Sequence, residues 1–184
     1  MSSNLGDKDT NLVWIDLEMT GLNLDKDQII EIATIITDKD LNILAKGPVL
    51  AIQTPKELLD SMDDVVREMH TKNGLIERVK ASTTTLAQAE EQTLAFIQQY
   101  TNVRTSPLCG NSIGTDKMFL TKYMPKIVAH LHYRLIDVST VKQLNFLWGF
   151  NYEYEKKGTH LALDDIEESI GELNFYRDKF FKKN

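Results

Sequence analysis

Apolar residues follow two different patterns along the chain. Near the N-terminus they run almost without a break, as "LVWIDLEMTG" over 12–21, "QIIEIATIITD" over 28–38 and "NILAKGPVLAI" over 42–52. Short runs rich in isoleucine and threonine predict three strands, and their succession, with a turn near Asp40, predicts an antiparallel meander. Gly47-Pro48 marks a bulge or an edge position in the third strand, because proline has no N–H to give to a ladder. After these runs the spacing becomes helical. "PKELLDSM" places Pro55 in a first turn, and "DDVVREMHTK" and "GLIERVK" predict further short helices. In "TTTLAQAEEQTLAFIQQY", Leu86, Ala89, Thr93, Leu94, Ile97 and Tyr100 recur at helical spacing behind threonines that can cap. "SPLCG" predicts a short buried strand, "GTDKMFLTKYM" a helix, "HYRLIDV" a strand, and "STVKQLNFLW" a helix capped by Ser139. The last helix is predicted over "LALDDIEESIGELNFYRDKFF", with Ile166, Ile170, Leu173 and Arg177 on one stripe. Its acids lie in the first turns, with Lys179, Lys182 and Lys183 near the end, as the helix dipole favours.

A meander followed by strands alternating with helices predicts an α/β domain with a mixed β-sheet. At 184 residues the chain suits one domain with one core. No repeat or low-complexity segment divides it. The expected division is a flexible N-terminal tail over 1–11, "MSSNLGDKDTN", and a single domain over 12–184.

Composition narrows the picture little. A hydrophobic content of 42% and a charged content of 26% are ordinary for a globular chain. No apolar run approaches the length of a membrane span, and the tail lacks the apolar stretch of a secretory signal. Cys109, the single cysteine, sits beside Leu108 and reads as a small buried hydrophobe. Together these features predict the cytoplasm. Charge says more: the formal net charge is −6, and the nearest thing to a basic run is the short terminal "RDKFFKKN". A protein that grips long nucleic acid carries a basic stripe, so long duplex DNA is excluded as an expected partner. A short anionic ligand held by metal ions and a few donors is not.

Two acids interrupt the first strand. Side chains on a strand alternate faces, so Asp16 and Glu18 point the same way and their oxygens converge. Converging carboxylates repel, and one loses its charge unless a cation sits between them. A solvated edge strand is the plainer alternative, but the apolar residues on both sides and Trp14 beside them favour a divalent-metal site. Asp116, in "CGNSIGTDKMF", follows a predicted buried strand, and Gly110 and Gly114 allow close approach of the chain. Taken alone it reads as an acid at a helix start. His160 and Asp165, in "GTHLALDDIEES", lie at the start of the last helix. Taken alone, Asp164 and Asp165 read as dipole-favoured surface acids and His160 as structural.

Taken together the residues read differently. Asp16, Glu18, Asp116 and Asp165 can gather at one sheet edge, where their charges would balance two divalent cations. Oxygen ligands suit Mg²⁺ or Mn²⁺ rather than zinc. Two such ions about 3.5–4 Å apart clamp the attacking and leaving oxygens of a phosphodiester. A neutral histidine titrates near working pH and can take a proton from water.

The order Asp-x-Glu, Asp, then His160 and Asp165 resembles the DEDD 3′→5′ exonucleases with a catalytic histidine. "WIDLEMTGL", "IIEIATI", "CGNSIGTD", "HYRLIDVST" and "GTHLALDDI" resemble the oligoribonuclease family within them, from Leu12 to Phe180. The resemblance implies an RNase H-like exonuclease fold, a mixed sheet flanked by helices, and a homodimer. It implies very short RNA oligonucleotides as substrates, especially dinucleotides, including the linear diguanylate left from cyclic di-GMP, cut to nucleoside 5′-monophosphates. It assigns two Mg²⁺ or Mn²⁺ ions to Asp16, Glu18, Asp116 and Asp165, and the general base to His160. Leu22 would wedge between the two bases. Ser112, Arg134 and Ser139, helped by His70, would hold the terminal phosphate, and Tyr133 would reach into the partner protomer's site. A phosphate cap of this kind needs a few aimed donors rather than a basic channel, which accords with the acidic charge. One position departs from the pattern: Val65 stands five residues before His70, where the family has a tryptophan. Trp14 and Trp148 lie in other motifs and read as core.

Three other functions compete. A glycoside hydrolase also uses two carboxylates but needs neither the other two acids nor metal. A silent nucleotide-binding module of the same fold would not need all four acids and His160. An exonuclease acting on longer single-stranded DNA or RNA 3′ ends is the closest rival, and the missing basic surface argues against it.

Overall fold

The computed structural model describes residues 5–155 and 161–181. The first run becomes β1, Leu12–Met19, and the second β2, Ile29–Thr37; the two pair antiparallel, with Asp16 opposite Ala33 and Glu18 opposite Glu31. Every residue of β2 is buried, so both faces of this strand are covered, which explains why its sequence does not alternate. The third run does not form one strand. It splits into β3, Ile43–Lys46, and β4, Leu50–Ala51, both antiparallel to β2. The break falls at Gly47-Pro48, where the Gly47 N–H still reaches Thr34 O at 2.8 Å. A Cβ on Gly47 would come within 2.6 Å of the Phe96 ring, so the crossing helix demands a residue without a side chain here.

Helices α1, Lys56–Asp60, α2, Asp64–Lys72, and α3, Leu75–Ala81, follow, then α4, Leu86–Tyr100. Thr85 caps α4 with a full capping box, exchanging bonds with Gln88 as the threonine run foretold. Strand β5, Leu108–Gly110, lies parallel to β1, and β6, Leu135–Asp137, parallel to β5. Between them come α5, Gly114–Tyr123, and α6, Pro125–His130; α6 was not foreseen and starts on the proline. Helices α7, Val138–Leu147, and α8, Ala162–Phe180, complete the described chain. The sheet order is β3-β2-β1-β5-β6, a mixed sheet with helices on both faces, as expected of an α/β domain.

Val13, Ile15, Leu17, Ile32 and Ile36 pack with α4, α5 and α6 on one face; Trp14, Ala33, Ile35 and Cys109 pack with Ala162, Ile166 and Ile170 of α8 on the other. Asp16 and Glu18 share the parity of Trp14, so they fall on the α8 face.

Several expectations are corrected. Ser139 does not cap α7; Asp137 does, accepting the Ser139 N–H at 3.0 Å. The helix starts at Val138, so the last strand residue stands at the cap and Ser139 is already inside the first turn. Residues 132–134 lie before β6 rather than in it. Trp148 is 67% exposed at the end of α7 and is not core, whereas Trp14 is fully buried, its indole N–H on Thr37 Oγ1. The last part of the expected tail is fastened: Asn11 is fully buried and donates to the carbonyls of Leu5 and Tyr100.

Candidate active site

Strand β1 runs on past the end of β5, and the acids sit on this extension. Asp16, Glu18 and Asp165 each offer a carboxylate oxygen within 4.8 Å of the others. Asp165 arrives on the first turn of α8, its N–H bonded to Leu161 O at 2.9 Å. Asp116 comes from the first turn of α5; its Oδ1 accepts the Leu17 N–H at 3.1 Å and the residue is buried. It is therefore no ordinary cap. It ties α5 to β1 between the two strand acids.

Burial and mutual repulsion act together on the carboxyls of Asp16 and Glu18. Burial, then Asp116, Glu18 and Asp165, push the Asp16 carboxyl well above the usual range. Burial and then Glu31, Asp165 and Asp116 push Glu18 up to about 8, with Arg78 opposing. Burial raises Asp116 to about 7 despite the bond from Leu17. Mutually repelling, desolvated carboxylates are what a cation site looks like before its cation is counted. The donors are all hard oxygens, the ligand type of Mg²⁺ and Mn²⁺.

His70 adds an independent sign. It is fully buried on α2, and its Nε2–H donates to Met19 O at 3.0 Å. Its Nδ1 is buried with no hydrogen-bond partner and lies 3.8 Å from Glu18 Oε2. Burial lowers the His70 pKa, so the ring stays neutral and Nδ1 faces the acids as an acceptor.

The reading of the sequence missed Glu31. It is 2% exposed, stands opposite Glu18, and accepts both Nε and Nη2 of Arg78, at 3.3 and 2.9 Å. Arg78 also donates to Asn73 O, so it fastens the α2–α3 turn to β2. The signal was an acid inside the isoleucine run of "IIEIATI".

A second polar group lies at the ends of β5 and β6. The Ser112 N–H donates to Asp137 Oδ1 and Ser139 Oγ, both at 2.9 Å, and the two serine hydroxyls are 3.1 Å apart. Ser112 holds a left-handed φ of 51°, which turns the chain from β5 into α5. Arg134 and Tyr133 are exposed, the guanidinium over the Tyr133 ring at 5.4 Å. Lys117, next to Asp116, holds the Tyr133 carbonyl at 3.0 Å. Leu22 is 71% exposed. The structure thus gathers Asp16, Glu18 and Asp165, adds Asp116 and His70, and joins Ser112 to Ser139; Leu22, Tyr133 and Arg134 stand in the open. His160 lies outside the described residues.

An acidic cluster on the central strand of a mixed sheet, closed by the first turn of α8, is an arrangement that could hold a divalent cation. The sequence profile of the exonuclease family matches residues 13–173. The chain is 58% identical over 176 residues to the mitochondrial oligoribonuclease of Homo sapiens, covering 94% of this chain and 74% of that one. It is 54% identical over 174 residues to the oligoribonuclease of Pseudomonas aeruginosa, covering 94% and 97%. Exonuclease I of E. coli, in complex with an oligonucleotide, shares the fold with a TM-score of 0.68 at 12% identity, over 93% of this chain and 41% of that one. This chain belongs to the oligoribonuclease family of exonucleases.

Proposed function

We propose that the chain is a metal-dependent 3′→5′ exoribonuclease that hydrolyses very short RNA, dinucleotides above all, to nucleoside 5′-monophosphates. One observation carries the reading: in a chain 58% identical to an oligoribonuclease, Asp16, Glu18 and Asp165 bring their oxygens within 4.8 Å of one another. Asp16, Glu18, Asp116 and Asp165 would hold two divalent ions, Mg²⁺ or Mn²⁺. Bound there, such ions supply charge stabilisation at the phosphoryl oxygens and an acidified water. The chain's own residues bind and orient. Leu22 would meet the bases. Ser112, Ser139 and Arg134 would take the terminal phosphate, and His160 would accept the proton of the attacking water; His70, fully buried with its one N–H on Met19 O, has no N–H left for a phosphate and would instead back Glu18. A pocket closed around that phosphate shuts out longer strands, in keeping with the net charge of −6.

The long-strand alternative has only the fold likeness to Exonuclease I behind it, at 12% identity. A homodimer, with Tyr133 completing the partner's site, belongs to the proposal. So does a cytoplasmic location, which cell fractionation checks. No described helix is long and apolar enough to cross a membrane.

The test is hydrolysis of end-labelled RNAs of graded length, with chelator and with Mg²⁺ or Mn²⁺ restored. The expected result is turnover that vanishes in chelator and falls sharply beyond the shortest strands. Equal rates on long and short strands would overturn the substrate assignment. Mixing Tyr133→Ala with Asp116→Ala protein is expected to regain part of the activity if protomers exchange. An active monomer in sedimentation would remove the shared site.

A further inference from the structure

Glu172 is a charged side chain with no place in the reading above, yet it is fully buried on α8. Its Oε2 accepts Asn111 Nδ2 at 3.1 Å, and its Oε1 lies 3.7 Å from Lys142 Nζ. Asn111 is the residue after β5. Its Nδ2 also donates to Ser169 Oγ at 2.8 Å, and Ser169 Oγ donates to Asp165 O at 2.8 Å. On its other side, Asn111 Oδ1 accepts from Ser139 Oγ at 3.1 Å.

These bonds fix directions. The amide of Asn111 cannot flip, because a flipped Oδ1 would face the Glu172 carboxylate and a Ser169 hydroxyl whose hydrogen is already given to Asp165 O. Asn111 Oδ1 therefore faces Ser139 and takes its only hydroxyl hydrogen. Ser139 Oγ is left with lone pairs alone, and these receive the Ser112 N–H at 2.9 Å and the Ser112 hydroxyl at 3.1 Å. Asp137 Oδ1 holds the Ser139 N–H and shares that of Ser112. Of the donors the two serines own, one is uncommitted enough to turn outwards: the Ser112 hydroxyl, which gives up only a bond to another hydroxyl.

We infer that Glu172, acting through Asn111, is a positioning residue for the terminal phosphate of the substrate: it sets the polarity of the Ser139–Ser112 pair so that Ser112 is the hydroxyl donor and Ser139 its support. The inference rests on the reading that these serines face that phosphate. It also links the phosphate end to α8, because the Asn111 amide touches the turn that carries Asp165.

The experiment compares kcat/KM on two dinucleotides that differ only in a 5′-phosphate, in wild type and variants, with Mn²⁺ affinity measured beside it. Ser112→Ala is expected to cut the preference for the 5′-phosphate roughly ten- to hundredfold, as loss of a hydrogen bond to a charged group does. Glu172→Leu is expected to cut it to a similar degree through KM, with Mn²⁺ affinity unchanged within about twofold. Glu172→Gln keeps an acceptor for Asn111 and is expected to retain most of the preference. Should Glu172→Leu fail to fold, Asn111→Ala removes the same link from a partly exposed position. If Ser112→Ala loses the preference while folded Glu172→Leu and Asn111→Ala keep it, the positioning role is overturned and the phosphate reading stands. If Ser112→Ala keeps the preference, the phosphate reading itself fails and the inference falls with it. A parallel loss of Mn²⁺ affinity in Glu172→Leu or Asn111→Ala would make the network merely structural and overturn the inference.

Discussion

Glu18 and Glu31 stand directly opposite each other across the β1–β2 ladder, two carboxylates on one face of the sheet. Like charges in that relation are destabilising, and here the outer one is answered by Arg78 at 2.9 Å. Glu31 is 2% exposed but the Arg78 side chain is 41% exposed. Water therefore screens half of the pair. Arg78→Met is expected to cost about 1–3 kcal/mol, below the ~3–5 kcal/mol of breaking a fully buried pair. Denaturant unfolding in chelator measures it. The double variant Glu31→Gln/Arg78→Met is expected to recover much of the loss, because no uncompensated charge remains. No recovery would mean that Arg78 acts through its bond to Asn73 instead.

The raised acids make a prediction about pH. Asp16, Glu18 and Asp116 all have folded pKa values above their unfolded ones, Glu18 at about 8 and Asp116 at about 7. Such a carboxyl favours the folded state while protonated in both states. As pH rises from the ordinary carboxylate range through these values, the unfolded chain ionises first and the metal-free protein loses stability. His70 and His130 act in the opposite sense. Burial lowers both, so they add stability as pH rises through the unfolded histidine value of 6.5. Comparing melts with and without metal at each pH largely cancels the His130 contribution. The rise in Tm on adding Mn²⁺ is expected to be larger near pH 8 than near pH 5.5. A rise that shrinks with pH would count against the carboxylates as ligands.

How much of this was legible beforehand varied with how local the cause was. The pairing of Asp16 with Glu18 follows from the two-residue repeat of a strand, and the Thr85 cap from chemistry three residues long, so both could be read. The partner of Glu31 lies 47 residues away on another element, and no periodicity reports it. Asp137 displaced Ser139 as the α7 cap because a residue ascribed to a strand also served the helix. Trp148 looked like core because an apolar residue at a helix end carries the same pattern whether it faces a neighbour or solvent. Helix α6 has too few turns for its apolar residues to show a period. The order of Asp116 and Asp165 along the chain could be read, but that Asp116 would be held by the Leu17 N–H could not.

The functional acids invite direct substitution. Asp165→Asn removes one of the three converging carboxylates and keeps its shape. It is expected to cut kcat strongly and weaken Mn²⁺ binding while leaving the far-ultraviolet spectrum unchanged and the chelator-state melt at or above that of wild type, since a repelling charge is removed. His160→Ala is expected to lower kcat roughly 10²–10⁴-fold, the usual cost of a lost general base, with Mn²⁺ affinity retained. A His160→Ala enzyme with near-normal kcat would make that histidine structural.

The last prediction concerns Val65, where the family resemblance leads one to expect a tryptophan. Val65 could have been a core position, in which case a tryptophan would overpack it and unfold the region. The structure removes that objection: Val65 is 80% exposed on the first turn of α2, whose buried face is marked by His70. Leu22, the proposed base wedge, is likewise 71% exposed. A valine offers apolar contact but no ring face, so a base lying there lacks its stacking partner. Stacking on an aromatic is worth about 1–3 kcal/mol per base. Val65→Trp is therefore expected to fold with an unchanged melt and to bind a dinucleotide about ten- to hundredfold more tightly, with kcat at saturation little altered. Binding titration in Ca²⁺, a hard cation of larger radius that suits the carboxylates but not a two-ion cleavage geometry, separates affinity from turnover. Unchanged affinity in the folded variant would show that no base reaches the exposed face of α2, and that Leu22 or another side chain already meets it.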